Sequence, residues 1–336
     1  MQVHDSREPR RAWRRTRSRA WRGAWRQTRP WLHVCVVLWL VSWTQAVRAA
    51  DFSTGGTFLR LGHGARAHGL GGAGVALLRD DAAVYWNAAN LAWLQPHVGV
   101  TFMHATILPG VTDGYRTGSA AHAVGPLLGE LGQPVRPHRF GYGAFLSNMG
   151  FDFESGLRWS ETTFLAGAGY AFTNFASIGA SLKSLRVSND FQSADASGEG
   201  LDLALTVLVT NWLSAAIVGH DVWTRVRWDT STSETLEPAM TLGFEVRPAS
   251  GWAALLDILW RESATQRVSL GVEWQAYREM LWLRGGLTTI TPGETRTYPS
   301  FGLGVHHRRI LVDYGASFDG GDSIDTVHRF SLGVQF

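Results

Sequence analysis

The chain of 336 residues has a formal charge of +3, but residues 1–50 hold eleven of its 31 basic side chains and only Asp5 and Glu8 as acids. From Asp51 onward 26 acidic side chains face 20 basic ones, so the basicity belongs to the first fifty residues and offers no nucleic-acid surface. The single cysteine, Cys35, also lies there, which leaves the rest of the chain without disulfide or thiolate chemistry.

Those first residues divide into an arginine-rich stretch from Arg7 to Arg29, an apolar run from Trp31 to Trp43, and the small residues Val47 and Ala49 flanking Arg48. The apolar run of about 13 residues falls short of the ~20 that a spanning helix needs. The pattern predicts a secretory signal peptide over 1–49, with an uncleaved N-terminal anchor as the alternative. Arg14-Arg15 invites a twin-arginine reading, but the apolar run begins too far downstream. No later segment approaches ~18 consecutive apolar residues, so crossing a membrane by a helix is excluded.

Next comes a glycine-rich stretch, Leu61 to Trp93, inside a segment taken as 50–96. Gly69-Leu70-Gly71-Gly72-Ala73-Gly74 matches the dinucleotide fingerprint in form only. That fingerprint needs a buried strand before it and a βαβ unit around it, and Gly62 to His68 cannot be that strand. Asp80-Asp81 predicts an N-cap for a short helix beginning near Ala82. Calcium would want about six to eight spaced oxygens, and two adjacent acids do not supply them. The histidines show no metal-binding spacing, His306-His307 falls at a turn, and no nucleophile motif is found. The reading is therefore of a protein that is not an enzyme and has neither cofactor nor metal.

From Pro96 onward the pattern has period two. Met240, Leu242, Phe244 and Val246 fall on one face, against Thr241, Gly243, Glu245 and Arg247. Val268, Leu270, Val272 and Trp274 oppose Arg267, Ser269, Gly271 and Glu273, and Phe330, Leu332, Val334 and Phe336 oppose Arg329, Ser331, Gly333 and Gln335. Alternation with one apolar face is the signature of a strand. Candidate strands lie near 97–106, 113–123, 138–148, 159–171, 175–187, 200–210, 212–222, 237–247, 251–261, 266–276, 280–290, 298–307, 308–318 and 326–336. Short turns, as at Thr173-Asn174, Thr210-Asn211 and His307-Arg308, alternate with longer polar loops near 149–158, 188–199, 223–236, 291–297 and 319–325. The connection near 262–265 is short for its class, and that near 124–137 is long for its own.

These features predict an all-β fold: a transmembrane antiparallel β-barrel of about 14 strands over 97–336, with a small N-terminal hatch or plug containing a short helix. A soluble sandwich or propeller is the alternative, but no blade-length repeat is visible. Trp212, Trp223, Trp252, Trp260, Trp274 and Tyr277 sit near strand ends, where interfacial girdles belong. Parity points Arg139, Asp202, Glu245, Arg247, Asp257, Arg267, Glu273, Arg284 and Arg329 inward. There they either form structural ion pairs or select a permeant. The final alternating strand ending in Phe336 resembles the signal read by the outer-membrane assembly machinery.

Against this background Gly64-Ala65-Arg66-Ala67, Gly69-Leu70-Gly71-Gly72-Ala73, Asp80-Asp81, Tyr85-Trp86-Asn87 and Leu91-Ala92 resemble the N-terminal motif of the PorV/PorQ family of outer-membrane proteins, which is similar to the FadL-type fourteen-stranded barrels. The resemblance implies that Gly64, Arg66, Gly69, Gly71, Gly72, Asp80, Asp81, Trp86 and Asn87 belong to a hatch folded partly into the barrel. Where the family runs W-N-P-A-G-L, this chain has Trp86-Asn87-Ala88-Ala89-Asn90-Leu91, and Asn90 can take the left-handed conformation that glycine would supply. Two functions follow. The first, implied by the motif, is protein export or surface attachment of the type IX secretion kind, with secretion components or cargo at loops such as 188–199 and 223–236. The second is FadL-like admission of hydrophobic small molecules through a hatch-gated lumen. A barrel with no transport role is a third. In all three the outer partner is the lipid of the outer membrane.

Overall fold

The computed structural model describes residues 61–95, 98–107, 112–124, 139–152, 158–190, 195–261, 264–277, 280–291, 293, 295–318 and 326–336. The expected signal peptide over 1–49, the start of the expected hatch segment, most of the connection near 124–137 and the loop near 319–325 lie outside the described residues.

Alternating side chains make strands, and the strands follow one another in a meander. They are β1 (Val98–Thr106), β2 (Thr112–Val124), β3 (Arg139–Asp152), β4 (Arg158–Ala171), β5 (Ala176–Asn189), β6 (Ala196–Leu208), β7 (Leu213–Trp228), β8 (Ser233–Thr235), β9 (Ala239–Val246), β10 (Trp252–Arg261), β11 (Ala264–Tyr277), β12 (Leu281–Ile290), β13 (Arg296–His307), β14 (Ile310–Phe318) and β15 (Thr326–Gln335). Every pairing is antiparallel, and β15 returns to β1 in register from Gly99 opposite Gln335 to Thr106 opposite His328. β8 pairs only with Arg225–Arg227 of β7, whereas β7 and β9 pair directly. Fourteen strands thus close the barrel and β8 is an extra strand on its rim.

Burial is inverted relative to a water-soluble barrel. Thr241, Glu245, Ser269, Glu273 and Arg284 are buried, while Phe102, Leu182, Leu203, Phe330 and Leu332 are exposed. An outer surface of leucine, isoleucine, valine and phenylalanine on each of the fourteen barrel strands is far larger than the apolar patches water tolerates, so this surface belongs in lipid. Trp212, Trp252, Trp274 and Tyr277 are exposed at the short-turn end, where Trp252 and Trp274 stack at 5.5 Å. Trp223 is exposed toward the long-loop end. Trp260 is half-buried.

Two expectations about lengths need correction. Segments of ten or eleven residues were expected, but β3, β4 and β5 have 14 residues and β7 has 16, against 8 in β9. The loop expected at 223–236 is largely strand, because β7 runs on to Trp228 and turns back through β8. The reason is a bulge. Leu201 pairs with Trp223 and Leu203 with Gly219, so residues 220–222 of β7 face Asp202 alone. Asp221 sits there with φ 52. The two extra residues interrupt the alternation, so a period-two reading loses the strand at that point although alternation resumes beyond it in the same parity. The loop expected over 188–199 shrinks likewise, with β5 reaching Asn189 and β6 starting at Ala196.

The hatch lies inside the wall. It contains α1 (Ala65–Gly69), α2 (Ala83–Trp86) and a 3₁₀ turn (Ala88–Trp93). The expected helix from Ala82 is this single turn. Its N-cap position is Ala82 and no side chain caps it, so Asp80-Asp81 does not play that part.

Candidate functional site

Glycine shapes the entry of the hatch. Gly64, with φ 83, leads into α1, and the Ala65 amide donates to Ser331 Oγ at 2.7 Å. The helix ends on a Schellman motif: the Gly72 amide reaches the Ala67 carbonyl at 2.8 Å and the Gly71 amide reaches that of His68 at 3.1 Å. Gly71 takes φ 68, as the motif requires of the residue after the cap. The formal phosphate fingerprint is therefore a helix terminator. Gly69 has a second reason, because a Cβ there would lie 2.7 Å from the Gly302 backbone of β13. Gly74 has a third, since its Cβ would meet the Trp86 ring at 2.6 Å.

The far end of the hatch is tied by side-chain amides. Asn87 Oδ1 accepts the Ala89 amide at 2.9 Å, opening the 3₁₀ turn, and its Nδ2 donates to the Val75 carbonyl and to Thr206 Oγ1, both at 2.8 Å. Asn90 Nδ2 donates to the Val75 and Leu77 carbonyls at 3.0 and 3.1 Å, while its Oδ1 accepts Thr206 Oγ1 at 2.7 Å. The expectation of a left-handed Asn90 is corrected: the residue sits inside the 3₁₀ turn and its side chain, not its backbone, replaces what a rigid Pro/Gly turn would supply. Trp86 Nε1 donates to the His63 carbonyl at 2.9 Å, closing the hatch on itself. Trp93 Nε1 donates to Ser177 Oγ at 2.7 Å, which ties the turn to β5.

The wall is carved to receive these pieces. Gly141, Gly169 and Gly179 stand where any side chain would strike the backbone of the 3₁₀ turn. Gly271 and Gly315 do the same opposite Leu70 and Ala65, at 2.6 and 2.7 Å. This glycine-on-backbone contact runs round much of the lumen.

The polar residues sort into three groups. On the short-turn side Arg66 grips Glu273 through two bonds of 2.9 and 2.7 Å and reaches Asp80 at 3.1 Å. Glu273 also holds Arg284 at 2.7 Å, and Arg284 holds Asp313 at 2.6 Å. Burial opposes the Arg66 charge, but Glu273 and Asp80 outweigh it and raise the guanidinium above its ordinary value. Burial raises the Asp80 carboxyl, with Arg66 pulling against it. Asp80 Oδ1 accepts the Ala82 amide at 2.8 Å, and Asp81 accepts Gln335 Nε2 at 3.0 Å. Arg139, fully buried, donates to the Leu94 carbonyl.

The second group binds the hatch backbone midway. Asp257 accepts the Gly74 and Val75 amides at 2.8 and 2.9 Å, and Glu245, paired with Arg247 at 2.8 Å, accepts the Leu78 amide at 3.4 Å. His63 lies between Thr117 and Ser119 at 2.7 and 2.8 Å, and burial, with Arg329 nearby, lowers it to about 3. The ring is neutral. The third group staples the β7 bulge: Lys183 holds Asp202 at 2.8 Å and Asp221 at 2.6 Å. Lys183, Asp221, Asp313 and Thr206 were not singled out from sequence. Lys183 shares a face with Leu185 and Val187, so parity alone did not mark that face as polar, and Asp221 stands on the irregular bulge.

Toward the long loops the lumen opens above Trp86. One cavity of about 220 Å³ is lined by Val75, Tyr85, Trp86, Leu165, Leu259 and Ile290 on its apolar side and by Lys183, Asp202, Asp221 and Arg267 on its polar side. A second, of about 360 Å³, shares Trp86, Arg267 and Ile290 with the first and adds Tyr298, Ser300, Ser317 and Arg329. Among the described residues no carboxylate lines the second cavity. Arg329 is 5 % exposed, its Nε has no partner, and neither it nor Arg267 forms an ion pair among the described residues. An uncompensated buried cation costs several kcal/mol, on the order of what a missing anion would return. Of the sequence-derived lumen charges, then, Glu273 holds both Arg66 of the hatch and Arg284 of the wall, Glu245 and Asp257 hold the hatch backbone, Asp202 braces the wall, and Arg267 and Arg329 face open space.

No protein-family model matches the sequence, and no curated protein matches it. Solved structures do share the fold. A FadL homologue of Pseudomonas aeruginosa aligns over 81% of this chain and 97% of its own, with 11% identity and a TM-score of 0.56. The toluene transporter TodX of Pseudomonas putida aligns over 82% and 97%, with 16% identity and a TM-score of 0.54. The toluene transporter TbuX of Ralstonia pickettii aligns over 82% and 97%, with 14% identity and a TM-score of 0.55. At these identities the likeness is one of fold.

Proposed function

We propose that this barrel is an outer-membrane channel that admits small amphipathic molecules, each with an apolar body and an anionic head, into the chamber above Trp86 and passes them inward when the hatch shifts. The observation that carries this is the chamber: apolar and aromatic side chains in both cavities, of about 220 and 360 Å³, with Arg267 and Arg329 in the larger one, where no described lining residue is a carboxylate, and Asp202 and Asp221 held by Lys183 in the smaller. Such a mixture of apolar lining and a few convergent polar groups is what ligand sites have in common. The solved toluene transporters with this fold support a hydrophobic permeant. A cleaved leader over 1–49 and a terminal strand ending in Phe336 fit delivery through the outer-membrane assembly machinery.

Equilibrium dialysis of the purified protein in detergent tests the reading, with naphthoate and naphthalene as probes. Naphthoate should be retained, and Arg267→Gln with Arg329→Gln should weaken it at least tenfold while leaving naphthalene little changed. Naphthoate that fails to bind, or that binds equally to the double variant, refutes the anionic head. An export or surface-attachment role is the second reading, and the motif from Gly64 to Leu91 is what favours it. Co-purification of secretion components or cargo with the barrel, and loss of surface cargo on deletion, would put it first.

A further inference from the structure

The strands of one half of the barrel overrun those of the other. Reading the outward faces of β5, β6 and β7 up toward the long loops, Ile178, Leu205 and Ile217 form one row and Leu182, Leu201 and Trp223 a higher one. The next row is Ser184, Glu199 and Arg225, and the row after that Arg186, Ser197 and Arg227. The surface therefore changes from wholly apolar to charged within one pleat repeat, roughly 7 Å along a strand. Trp223, 55 % exposed, marks the edge.

Arg186, Arg225 and Arg227 are all exposed and point away from the lumen. Among the described residues none forms a hydrogen bond or ion pair, Glu199 opposite Arg225 included. Strand spacing of roughly 4.8 Å and the two-residue repeat of roughly 7 Å put the three guanidinium stems at the corners of a triangle with sides of about 7–12 Å. Glu199 offsets one of the three charges; higher up, Asp195 accepts from Ser188 at 2.9 Å, Asp190 accepts the Arg158 amide at 3.0 Å, and Asp229 is exposed just past Arg227. What remains is a cationic group just above the apolar band, on the end of the barrel with the long loops.

We propose that this triangle binds the phosphate groups of a glycolipid in the outer leaflet, holding one lipid molecule against β5–β7 with its chains over Leu182, Leu201 and Trp223. The proposal rests on the outer-membrane reading above. Two observations pick the occupant. Three arginines without protein partners suit bidentate contact with phosphate. Their place directly above an unbroken apolar face supplies the surface that acyl chains cover. A soluble acidic protein would use the arginines but not the face below them.

The test is native mass spectrometry of the full chain purified in a mild detergent and titrated with bis-phosphorylated lipid A, dephosphorylated lipid A and phosphatidylglycerol. One bound lipid A is expected at low micromolar concentration, with at least a tenfold loss in the Arg186→Gln, Arg225→Gln, Arg227→Gln variant. Dephosphorylated lipid A should bind as weakly to the natural sequence as lipid A does to that variant. Arg308→Gln with Arg309→Gln, on the opposite rim, should bind lipid A normally. Unchanged binding in the triple variant, equal loss in the opposite-rim variant, or equal capture of phosphatidylglycerol each overturns the proposal. Heat-modifiable gel mobility, read on the same samples, separates the two failures. A barrel with normal mobility and no lipid A refutes the site alone, whereas a chain soluble without detergent refutes the membrane reading beneath it.

Discussion

Arg66 joins the plug to the charged wall residue Glu273 by two bonds, so replacing it tests whether the hatch is held by that grip. Methionine keeps the unbranched apolar stem and removes the guanidinium. Breaking a buried ion pair by deleting one partner costs about 3–5 kcal/mol. The lower end applies here. Glu273 keeps Arg284 at 2.7 Å, and Asp80 keeps the Ala82 amide and can take up a proton, its carboxyl being raised already. At ~1.4 kcal/mol per tenfold, a loss of about 3 kcal/mol multiplies the undocked population roughly a hundredfold. Amide exchange in the peptide spanning 61–95 reports this directly, since the Gly74, Val75 and Leu78 amides are protected only by Asp257 and Glu245 of the wall. Arg66→Met should speed exchange of those amides about a hundredfold while the strands stay protected. Asp80→Asn added to it should restore part of the protection, because a stranded charge is replaced by a neutral amide. Unchanged exchange in the hatch, or strands that open as fast as the hatch does, would refute the reasoning.

Acid should loosen the same segment through His63. Its value falls from 6.5 when free to about 3 when docked, so the undocked hatch binds a proton that the docked one refuses. Docking is fully stable above pH 6.5 and loses about 1.4 kcal/mol per unit as pH drops toward 3, an effect that hydrogen exchange should show and that His63→Asn should abolish. Gly179→Val puts a branched side chain where the 3₁₀ turn has its backbone, and the folded barrel should then appear with a hatch open to limited proteolysis. Trp86→Ala joins the floor of both cavities to the space beneath, and liposomes carrying it should leak small aromatic solutes several-fold faster than the natural protein.

How much of this could be read from the residues depends on which periodicity each part obeys. The strands declare themselves because polar and apolar side chains alternate against two fixed solvents, lumen and lipid. Thirteen of the fourteen segments need no more than changed ends, and β7 is lost only past Asp221, where two extra residues interrupt the alternation before it resumes in the same parity. The hatch is different. Its glycines look alike in sequence, yet Gly71 ends a helix, Gly69 admits a β13 backbone and Gly74 admits an indole. For Gly69 the reason lies in a contact more than two hundred positions away, and for Gly74 in how the hatch folds on itself, neither of which a local pattern carries. The same holds for Asn90, whose place is set by Thr206, and for Arg267 and Arg329, whose inward direction was legible but whose lack of a counter-charge was not.

The seam where β1 meets β15 brings the question of assembly order into view. Ser331 and Gln335 on the last strand bind Ala65 and Asp81 of the hatch. The hatch, which leaves the ribosome before every barrel strand, is therefore bound by the strand that closes the sheet. The plug also sits behind walls whose glycines leave no slack for threading it in afterwards. A sheet that curls round an already seated plug meets no such obstacle, because its edges join only after the contents are in place. On that view the hatch acts as a mandrel during biogenesis, and substitutions in it should lower the yield of closed barrels even where they leave permeation untouched.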